Sequence, residues 1–392
     1  MKSMETNGVL VCCPTGRIDS SNAAAFEQEL TQALAEHPGA ALVLDAEGLE
    51  YISSAGLRVL LRQRQAAGEL TVRNASPEVY EIFDVTGFTA MLKVEKAMRF
   101  VSVQGLEQIG AGKHSAVYRL DGETILKVVK DMTLEAIRAE VKVSKDALFY
   151  GIPTAISYDV VRTEEGYGEV YEMFQAGVLA SAVMAAPERR EEYLRSFAQM
   201  YRSIHAVQIG EGRLVSVRDR YRAAAETLAP LVTEEEHAQV RRLIDTVPES
   251  RGFVHGDFHM NNVMLQGEEL LLIDVGEAGY GHPLFDFAQT MSAYTGMTTT
   301  HADGCRQVLG LSLEEACYVR DNLFPLYFGL SGEPLERKMT VVHGMATLRM
   351  LLSPFLQGVE GAEEIVRSRL GKARAQLFPQ IDKVCALIEK EF

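Results

Sequence analysis

The stretch that decides the fold is VHGDFHMNNV, residues 254–263, which an apolar run follows as far as Ile273-Asp274. It places a carboxylate at Asp257, an amide five residues later at Asn262, and a second carboxylate at Asp274. Metal-dependent phosphoryl transfer needs one acid that orients the attacking hydroxyl and hard oxygen ligands for magnesium. We therefore predict Asp257, Asn262 and Asp274 as catalytic residues, with Asn262 and Asp274 as metal ligands. The alternative is a polar turn between two core strands.

The spacing of these residues matches the catalytic loop and the metal-binding aspartate of eukaryotic-type kinases. The His-Gly-Asp sequence that ends at Asp257, with His259 two residues later, resembles the aminoglycoside phosphotransferase and choline kinase branch of that fold. The resemblance implies a two-lobed α+β protein-kinase-like fold. It also implies an enzyme that uses ATP and Mg²⁺ to phosphorylate a hydroxyl of a small molecule.

The same resemblance assigns roles outside the catalytic triplet. It implies that Asp286 and His255 brace the catalytic loop, and that the acceptor lies between this loop and the helices of the large lobe. Four acidic side chains are candidate contacts for a cationic acceptor, although a solvated acidic face is the alternative for each: Glu277, Asp303, Glu314 and Glu315.

A glycine-containing motif, LEQIGAGKHSAVY, covers residues 106–118. Gly110 and Gly112 in a tight hairpin would leave backbone N–H groups free to approach phosphate. Ser115 stands where a third glycine is usual, and no Gly-Lys-Ser/Thr opens a helix as in a Walker A loop. We predict that Gly110, Gly112 and Ser115 bind the nucleotide.

Lys127 is the one lysine within the apolar run of residues 124–129. Burying an ammonium group without a partner is unfavourable. We therefore predict that Lys127 holds the nucleotide phosphates and pairs with Glu140 in a helix over residues 134–148, with Glu135 as the other candidate partner. The alternative is a lysine that extends to solvent from an edge strand.

The linker between the lobes is predicted at VYEMF, residues 170–174. In kinase-like folds this segment meets adenine through backbone groups. The resemblance places those contacts around Glu172 to Phe174, and we predict Glu172 and Phe174 as nucleotide-binding residues.

The first hundred residues have a different pattern. Apolar strand-like runs at residues 9–11 and 41–45 are followed by two serines, Ser53 and Ser54, at a strand-to-helix junction, where free N–H groups favour an anion. Residues 7–100 resemble the STAS domain of anti-sigma-factor antagonists, which implies an α/β domain with a mixed sheet and a protein partner. In that family the serine aligned with Ser54 is phosphorylated, but Ser53 replaces the usual preceding aspartate. Helix capping is the alternative role.

The predicted organisation has three segments: a STAS-like domain at 1–100, a kinase-like small lobe at 101–176 and a helical large lobe at 177–392. The first function predicted is a small-molecule phosphotransferase fused to a regulatory or docking domain. The alternative is a signalling protein that phosphorylates protein serine, with Ser54 of its own chain as a candidate. A third reading is a docking protein whose kinase-like part binds nucleotide without catalysis.

Composition narrows the remaining function classes. The formal charge of −15 argues against non-specific nucleic-acid binding, which needs a basic surface. Five scattered cysteines lack a Cys-x-x-Cys pair and are predicted to be reduced thiols. The N-terminus lacks an apolar signal core, and we expect no run of the length needed to cross a bilayer. We expect a cytoplasmic protein with neither membrane nor nucleic acid as partner.

Overall fold

The computed structural model describes residues 1–111, 115–130, 132–174, 177–300 and 304–392, except the side chains of residues 299 and 300. The predicted contacts Gly112 and Asp303 lie outside the described residues. The chain divides into two compact units, Met1–Ser102 and Val103–Phe392, called here the N-terminal and C-terminal units. Each unit has its own hydrophobic core.

The N-terminal unit is a mixed sheet with helices, as predicted. A five-stranded sheet has the order β1-β2-β4-β6-β7, in which β1 is antiparallel to β2 and the other neighbours are parallel. Strands β3 and β5 form a separate parallel pair. The elements are β1 Lys2–Thr6, β2 Val9–Cys13, β3 Gly16–Ile18, α1 Ala23–Glu36, β4 Ala41–Asp45, β5 Leu49–Ile52, α2 Ser54–Ala67, β6 Leu70–Ala75, α3 Pro77–Val85 and β7 Lys93–Lys96.

Local sequence explains where the helices α2 and α3 begin. The side chain of Ser53 accepts a hydrogen bond from the Gly56 backbone N–H, and Ser76 does the same for Val79. Pro77 occupies the first turn of α3, where a missing N–H has no intrahelical partner to lose. Ser53 is thus the capping residue, whereas Ser54 is exposed at the first position of α2.

The C-terminal unit begins with an antiparallel sheet, the core of its small lobe. The strand order is β11-β12-β10-β9-β8. Strand β10, which carries Lys127, pairs with β12 on one side and β9 on the other, so the edge-strand alternative for Lys127 is wrong. The elements are β8 Glu107–Ala111, β9 Ser115–Arg119, β10 Thr124–Val129, α4 Leu134–Phe149, β11 Ser157–Thr163 and β12 Gly166–Glu172.

The remainder of the C-terminal unit is mainly helical, which agrees with the predicted large lobe. Short strands near the catalytic loop interrupt the helices. The elements are β13 Gly177–Val178, α5 Leu179–Ala185, α6 Arg190–Ala206, α7 Val217–Leu228, α8 Glu234–Thr246, β14 Gly252–Val254, β15 Val263–Gln266, β16 Glu269–Leu272, β17 Gly279–Gly281, α9 Leu284–Thr300, α10 Leu313–Phe328, α11 Gly332–Leu356, α12 Ala362–Gln376 and α13 Ile381–Glu391.

Helix α11 is long and apolar enough, by length and composition alone, to cross a membrane, and it is the one such helix among the described residues. The expectation that no run reaches this length is therefore wrong. Half of its most apolar window is buried within the protein. Because α11 packs against α7, α9, α12 and α13, its apolar residues are those of a central core helix.

Candidate active site

Two pairs of short strands hold the two ends of the catalytic segment. Strand β14 delivers the loop and pairs antiparallel with β17, while β15 and β16 form a hairpin in which Val263 lies opposite Leu272. The backbone N–H of Ile273 donates to the carbonyl of Asn262 at 3.0 Å. This register places Asn262, just before β15, beside the segment that leads from β16 to Asp274.

Asp286 braces the loop, as the resemblance implies. Its fully buried carboxylate accepts hydrogen bonds from the backbone N–H groups of His255 and Gly256, both at 2.9 Å. A third contact joins it to His205 Nε2 at 3.0 Å. Burial lowers the pKa of His255, whose Nδ1 accepts from the Asp257 N–H at 3.2 Å. His255 is therefore a neutral brace.

Gly256 is required by the geometry of this loop. Its φ of +86° lies in the left-handed region, and a Cβ there would come within 2.8 Å of the Glu277 carbonyl oxygen. A side chain would both strain the backbone and push the segment after Asp274 away from the loop.

The Asp257 carboxylate is held by two amide donors. Oδ1 accepts from Gln289 Nε2 at 2.9 Å, and Oδ2 accepts from Asn262 Nδ2 at 3.1 Å. Burial raises the pKa of Asp257, but the hydrogen bonds and charge from His259 and Gln289 outweigh this effect and hold the pKa well below its usual range. The side chain is still 38% exposed. It can thus meet a hydroxyl as a fixed, ionised acceptor.

Asn262 directs its amine to Asp257 and leaves its amide oxygen for another contact. Nδ2 donates to the Asp257 carbonyl at 2.9 Å as well as to the carboxylate. Within the described part of the chain, no hydrogen bond to Asn262 Oδ1 is found. An amide oxygen presented in this way suits a hard cation.

Asp274, which follows strand β16, is the third predicted catalytic residue. Its φ of +57° lies in the left-handed region that few residues other than glycine adopt. One carboxylate oxygen, Oδ1, forms an ion pair with Lys127 Nζ, and the side chain is 47% exposed. Strained backbone of this kind is concentrated at functional sites.

The predicted ion pair between Lys127 and Glu140 is not present among the described contacts, because Asp274 takes the ammonium group. Glu140 nevertheless lies close by on α4, where a Cβ on Gly276 would come within 3.1 Å of its side chain. Burial raises the pKa of Glu140, and the charge of Lys127 acts against this shift. Glu135 is exposed in the first turn of α4.

A further acid near Lys127 was missed from sequence. Glu169 lies directly opposite Lys127 in the β10–β12 pair and is fully buried. Tyr171 donates its hydroxyl to Glu169 Oε2, and Oε1 has no partner among the described residues. Burial raises the pKa of Glu169 to about 7. The sequence shows a glutamate within this strand. The alternation of polar and apolar residues does not show that it lies beside Lys127, because that depends on the register of the two strands.

The glycine motif forms an antiparallel pair of strands, β8 and β9. Gly110 lies opposite Val117 beside a register shift, and Ser115 begins β9 opposite Val129. The segment 112–114 that joins the strands lies outside the described residues, so Gly110 and Ser115 flank it on either side. Their contact with phosphate stays a prediction.

The linker residues are anchored by the residue before β11 and by the turn before β10. Glu172 Oε1 accepts from the Ile156 N–H at 2.7 Å, so this carboxylate is already engaged by the backbone just before β11. The Met173 N–H donates to the Glu123 carbonyl at 2.7 Å, and Phe174 is partly buried. An adenine contact by Glu172 or Phe174 stays a prediction.

Arginines accompany the acidic side chains that were candidates for a cationic acceptor. Arg190 lies 3.4 Å from the Glu314 carboxylate and 3.2 Å from that of Glu315. Arg349 lies 3.6 Å from the Glu277 carboxylate. A cationic acceptor would have to compete with these guanidinium groups. The described residues contain no group of three or more His, Cys, Asp or Glu arranged for a metal ion.

Two family models match separate parts of the chain. The model of a family described as "Phosphotransferase enzyme family" matches residues 105–312, which is more than half of the chain. A model described as "Mlab, STAS domain" matches residues 15–94.

Curated relatives match the N-terminal part. The putative anti-sigma factor antagonist BtrV of Bordetella bronchiseptica is 40% identical over 92 residues, which are 22% of this chain and 78% of that protein. The anti-sigma-F factor antagonist RsfB of Mycobacterium tuberculosis is 36% identical over 63 residues, which are 16% of this chain and 51% of that protein.

Solved structures resemble this chain at low sequence identity. A choline/ethanolamine kinase family protein from Mesorhizobium loti is 16% identical, with a TM-score of 0.47, over 74% of this chain and 93% of that chain. A gentamicin–APH(2")-IIa complex is 15% identical, with a TM-score of 0.46, over 78% of this chain and 99% of that chain.

Proposed function

We propose, from the premise that this chain belongs to the phosphotransferase enzyme family and begins with a STAS domain, that its C-terminal unit transfers the γ-phosphate of ATP to a hydroxyl of a small molecule. The observation that carries this proposal is the convergence of four residues: Asn262 donates to Asp257, the Asn262 backbone carbonyl accepts from the N–H of the residue before Asp274, and Lys127 pairs with Asp274.

Asp257 orients the attacking hydroxyl in this mechanism. Its two amide donors fix the carboxylate, and its depressed pKa keeps it ionised at neutral pH. A carboxylate that is so weakly basic contributes mainly by orientation until the proton leaves late in the transfer.

Asn262 and Asp274 fit a magnesium ion. An amide oxygen and a carboxylate are the hard ligands that Mg²⁺ takes from proteins, with water and phosphate completing the shell. When bound, the ion would neutralise charge on the transferring phosphate. Lys127, now paired with Asp274, is the cation that would move to the phosphate oxygens, with Gly110 and Ser115 beside it. Glu140 and Glu169 would then hold the ammonium group in place.

The N-terminal unit is proposed to dock a protein partner and to regulate the phosphotransferase. The similarity to anti-sigma factor antagonists supports a protein partner. The comparisons do not favour the alternative in which the C-terminal unit phosphorylates Ser54, and phosphorylation of Ser54 stays a prediction. All five cysteines are free thiols, which supports the proposal of a cytoplasmic protein.

The experiment is a screen for ADP formation by the full chain with ATP, Mg²⁺ and a panel of sugars, amino alcohols, choline-like amines and aminoglycosides. We expect one class to accelerate ADP formation and to gain a phosphate by mass spectrometry. Asp257→Ala should lose this transfer and still bind ATP, whereas Asp245→Ala, an exposed aspartate on α8, should match the parent. Equal transfer by Asp257→Ala and the parent would refute the proposal.

A further inference from the structure

A chain of buried polar contacts links Asp257 to a helix outside the family match. Gln289, on α9, donates from Nε2 to Asp257 Oδ1 at 2.9 Å. Its Oε1 accepts from Arg349 Nε at 2.5 Å. Arg349 belongs to α11, beyond residue 312 where the match ends, and is 4% exposed.

The chemistry of the two side chains fixes the direction of these bonds. A glutamine amide can present either its amine or its carbonyl to a neighbour. A guanidinium group has donors and no acceptor, so Arg349 can only meet the carbonyl of Gln289. The amine of Gln289 is thereby turned towards Asp257, whose carboxylate needs a donor. Without Arg349, the Asp257 carboxylate alone would hold the amide in this orientation.

The burial of Arg349 needs an explanation that packing alone does not give. Removing a charge from water is unfavourable by several kcal/mol unless the charge is well paired. Among the described residues, the carboxylate paired with it is that of Glu277, at a loose 3.6 Å. An apolar side chain at this position of a core helix would avoid the penalty. The hydrogen bond to Gln289 is therefore the contact that arginine makes here and that an apolar side chain could not make.

Burial keeps Arg349 away from direct contact with substrate, since only 4% of the residue is exposed. A cavity of about 30 Å³ borders Gln289, Arg349 and Glu277. This volume holds about one water molecule, whereas ligand pockets are typically about 300 Å³ or more. Arg349 must therefore influence the reaction through Gln289.

We propose that Arg349 and Gln289 are positioning residues of the phosphotransferase. Arg349 sets the orientation of the Gln289 amide, and Gln289 holds the Asp257 carboxylate in the position that meets the acceptor hydroxyl. This inference rests on the proposed function. Because neither residue touches Lys127, which we assign to the nucleotide, or the proposed metal ligand Asp274, their loss should lower turnover and leave the affinity for ATP unchanged.

The test measures ADP formation from ATP and Mg²⁺ by the full chain, first with water as acceptor and then with a hydroxyl compound that the screen identifies. Arg349→Met and Gln289→Leu should each lower turnover on the order of tenfold to a hundredfold, the effect of a small misplacement of a catalytic group. The KM for ATP should stay within about twofold of the parent value. Arg349→Lys, which keeps a donor, should recover part of the loss.

A matched control separates positioning from general damage to helix packing. Arg369, on α12, also donates to α11, at the Met350 carbonyl and the Ser353 hydroxyl, but it has no contact with Gln289. Arg369→Met should keep the parent's turnover. If Arg349→Met prevents folding, Gln289→Glu serves instead, because it can still pair with Arg349 and yet presents no amine to Asp257.

A double-mutant cycle tests whether Arg349 acts through Gln289. Arg349→Met combined with Gln289→Leu should be no slower than Gln289→Leu alone. Multiplied losses, or parent turnover in Arg349→Met, would overturn the inference while the phosphotransferase itself stood. A parent chain without any ADP formation would instead refute the proposed function, and the inference with it.

Discussion

Lys127 on the central strand of the small lobe forms an ion pair with Asp274, which follows strand β16 of the large lobe. The pair joins residues 147 positions apart in the chain. The ion pair joins the two lobes directly, because it brings the cation that we assign to the phosphates beside the proposed metal-binding acid. Transfer of Lys127 to phosphate would release Asp274 for magnesium.

The first prediction concerns Lys127. Lys127→Met removes the cation that we assign to the phosphates, so the KM for ATP should rise by about tenfold to a hundredfold, the equivalent of a lost charged hydrogen bond of about 1.5–3 kcal/mol. Lys130→Met is the matched control, because Lys130 follows the same strand and is exposed. Steady-state kinetics of ADP formation measure both. A parent-like KM in Lys127→Met would contradict the assignment.

The second prediction concerns the pH dependence of stability. Burial raises the pKa of Glu169 to about 7, so the folded protein keeps a proton there that the unfolded chain loses above pH of about 4.5. Glu169 therefore makes the folded state progressively less stable as pH rises from about 4.5 to about 7. Glu169→Gln should remove this loss of folding stability, which amounts to about 3 kcal/mol at most.

Thermal unfolding of Glu169→Gln and the parent, compared at pH 5 and pH 8, measures this effect. The unfolding midpoint of the variant should rise relative to the parent between the two pH values. Glu165→Gln, on the exposed turn before β12, provides the control. A difference between Glu169→Gln and the parent that does not change with pH would count against a protonated Glu169.

The third prediction uses two glycines. Gly256→Ala should destabilise the C-terminal unit by about 1–3 kcal/mol and abolish transfer, since the residue has a φ of +86° and would contact the Glu277 carbonyl. Gly371→Ala, in the interior of α12 with open space around it, should stabilise the unit by about 0.5–1 kcal/mol. Denaturant unfolding and ADP formation give both results. A Gly256→Ala enzyme with parent activity would show that the loop tolerates a side chain.

The fourth prediction separates the two serines of the N-terminal unit. Ser53→Ala removes the cap of α2 and should lower stability by about 0.5–2 kcal/mol. Ser54→Ala removes an exposed hydroxyl and should change stability by less than about 0.5 kcal/mol. Thermal unfolding of the two variants checks the ranking. Equal losses would mean that Ser54 contributes to the cap.

Spacing along the chain predicts that Asp257, Asn262 and Asp274 lie close together, whereas their catalytic roles stay predictions. Asp257, Asn262 and Asp274 stand at a spacing that one loop and one hairpin bring together, and Lys127 was conspicuous in an apolar strand. Sequence reasoning missed Glu169, Gln289 and Arg349, because their partners are set by strand register and helix packing between distant segments.

The partner of Lys127 shows the same limit. Glu140 was the expected partner because a helix follows the strand, whereas the ion pair forms with Asp274 of the other lobe. Which acid takes the ammonium group depends on how the lobes approach each other, and no local pattern encodes that distance. The membrane-length helix α11 is hard to recognise from sequence, because charged residues such as Glu336, Lys338 and Arg349 interrupt its apolar run.

The most direct test of the phosphotransfer site is the magnesium dependence of ADP formation in the parent, Asp274→Asn and the exposed control Asp245→Asn. Removing a metal-binding carboxylate should lower turnover at saturating ATP by at least about a hundredfold and raise the Mg²⁺ concentration needed for half-maximal rate. Asp245→Asn should follow the parent curve. Superimposable magnesium curves for the parent and Asp274→Asn would contradict the account.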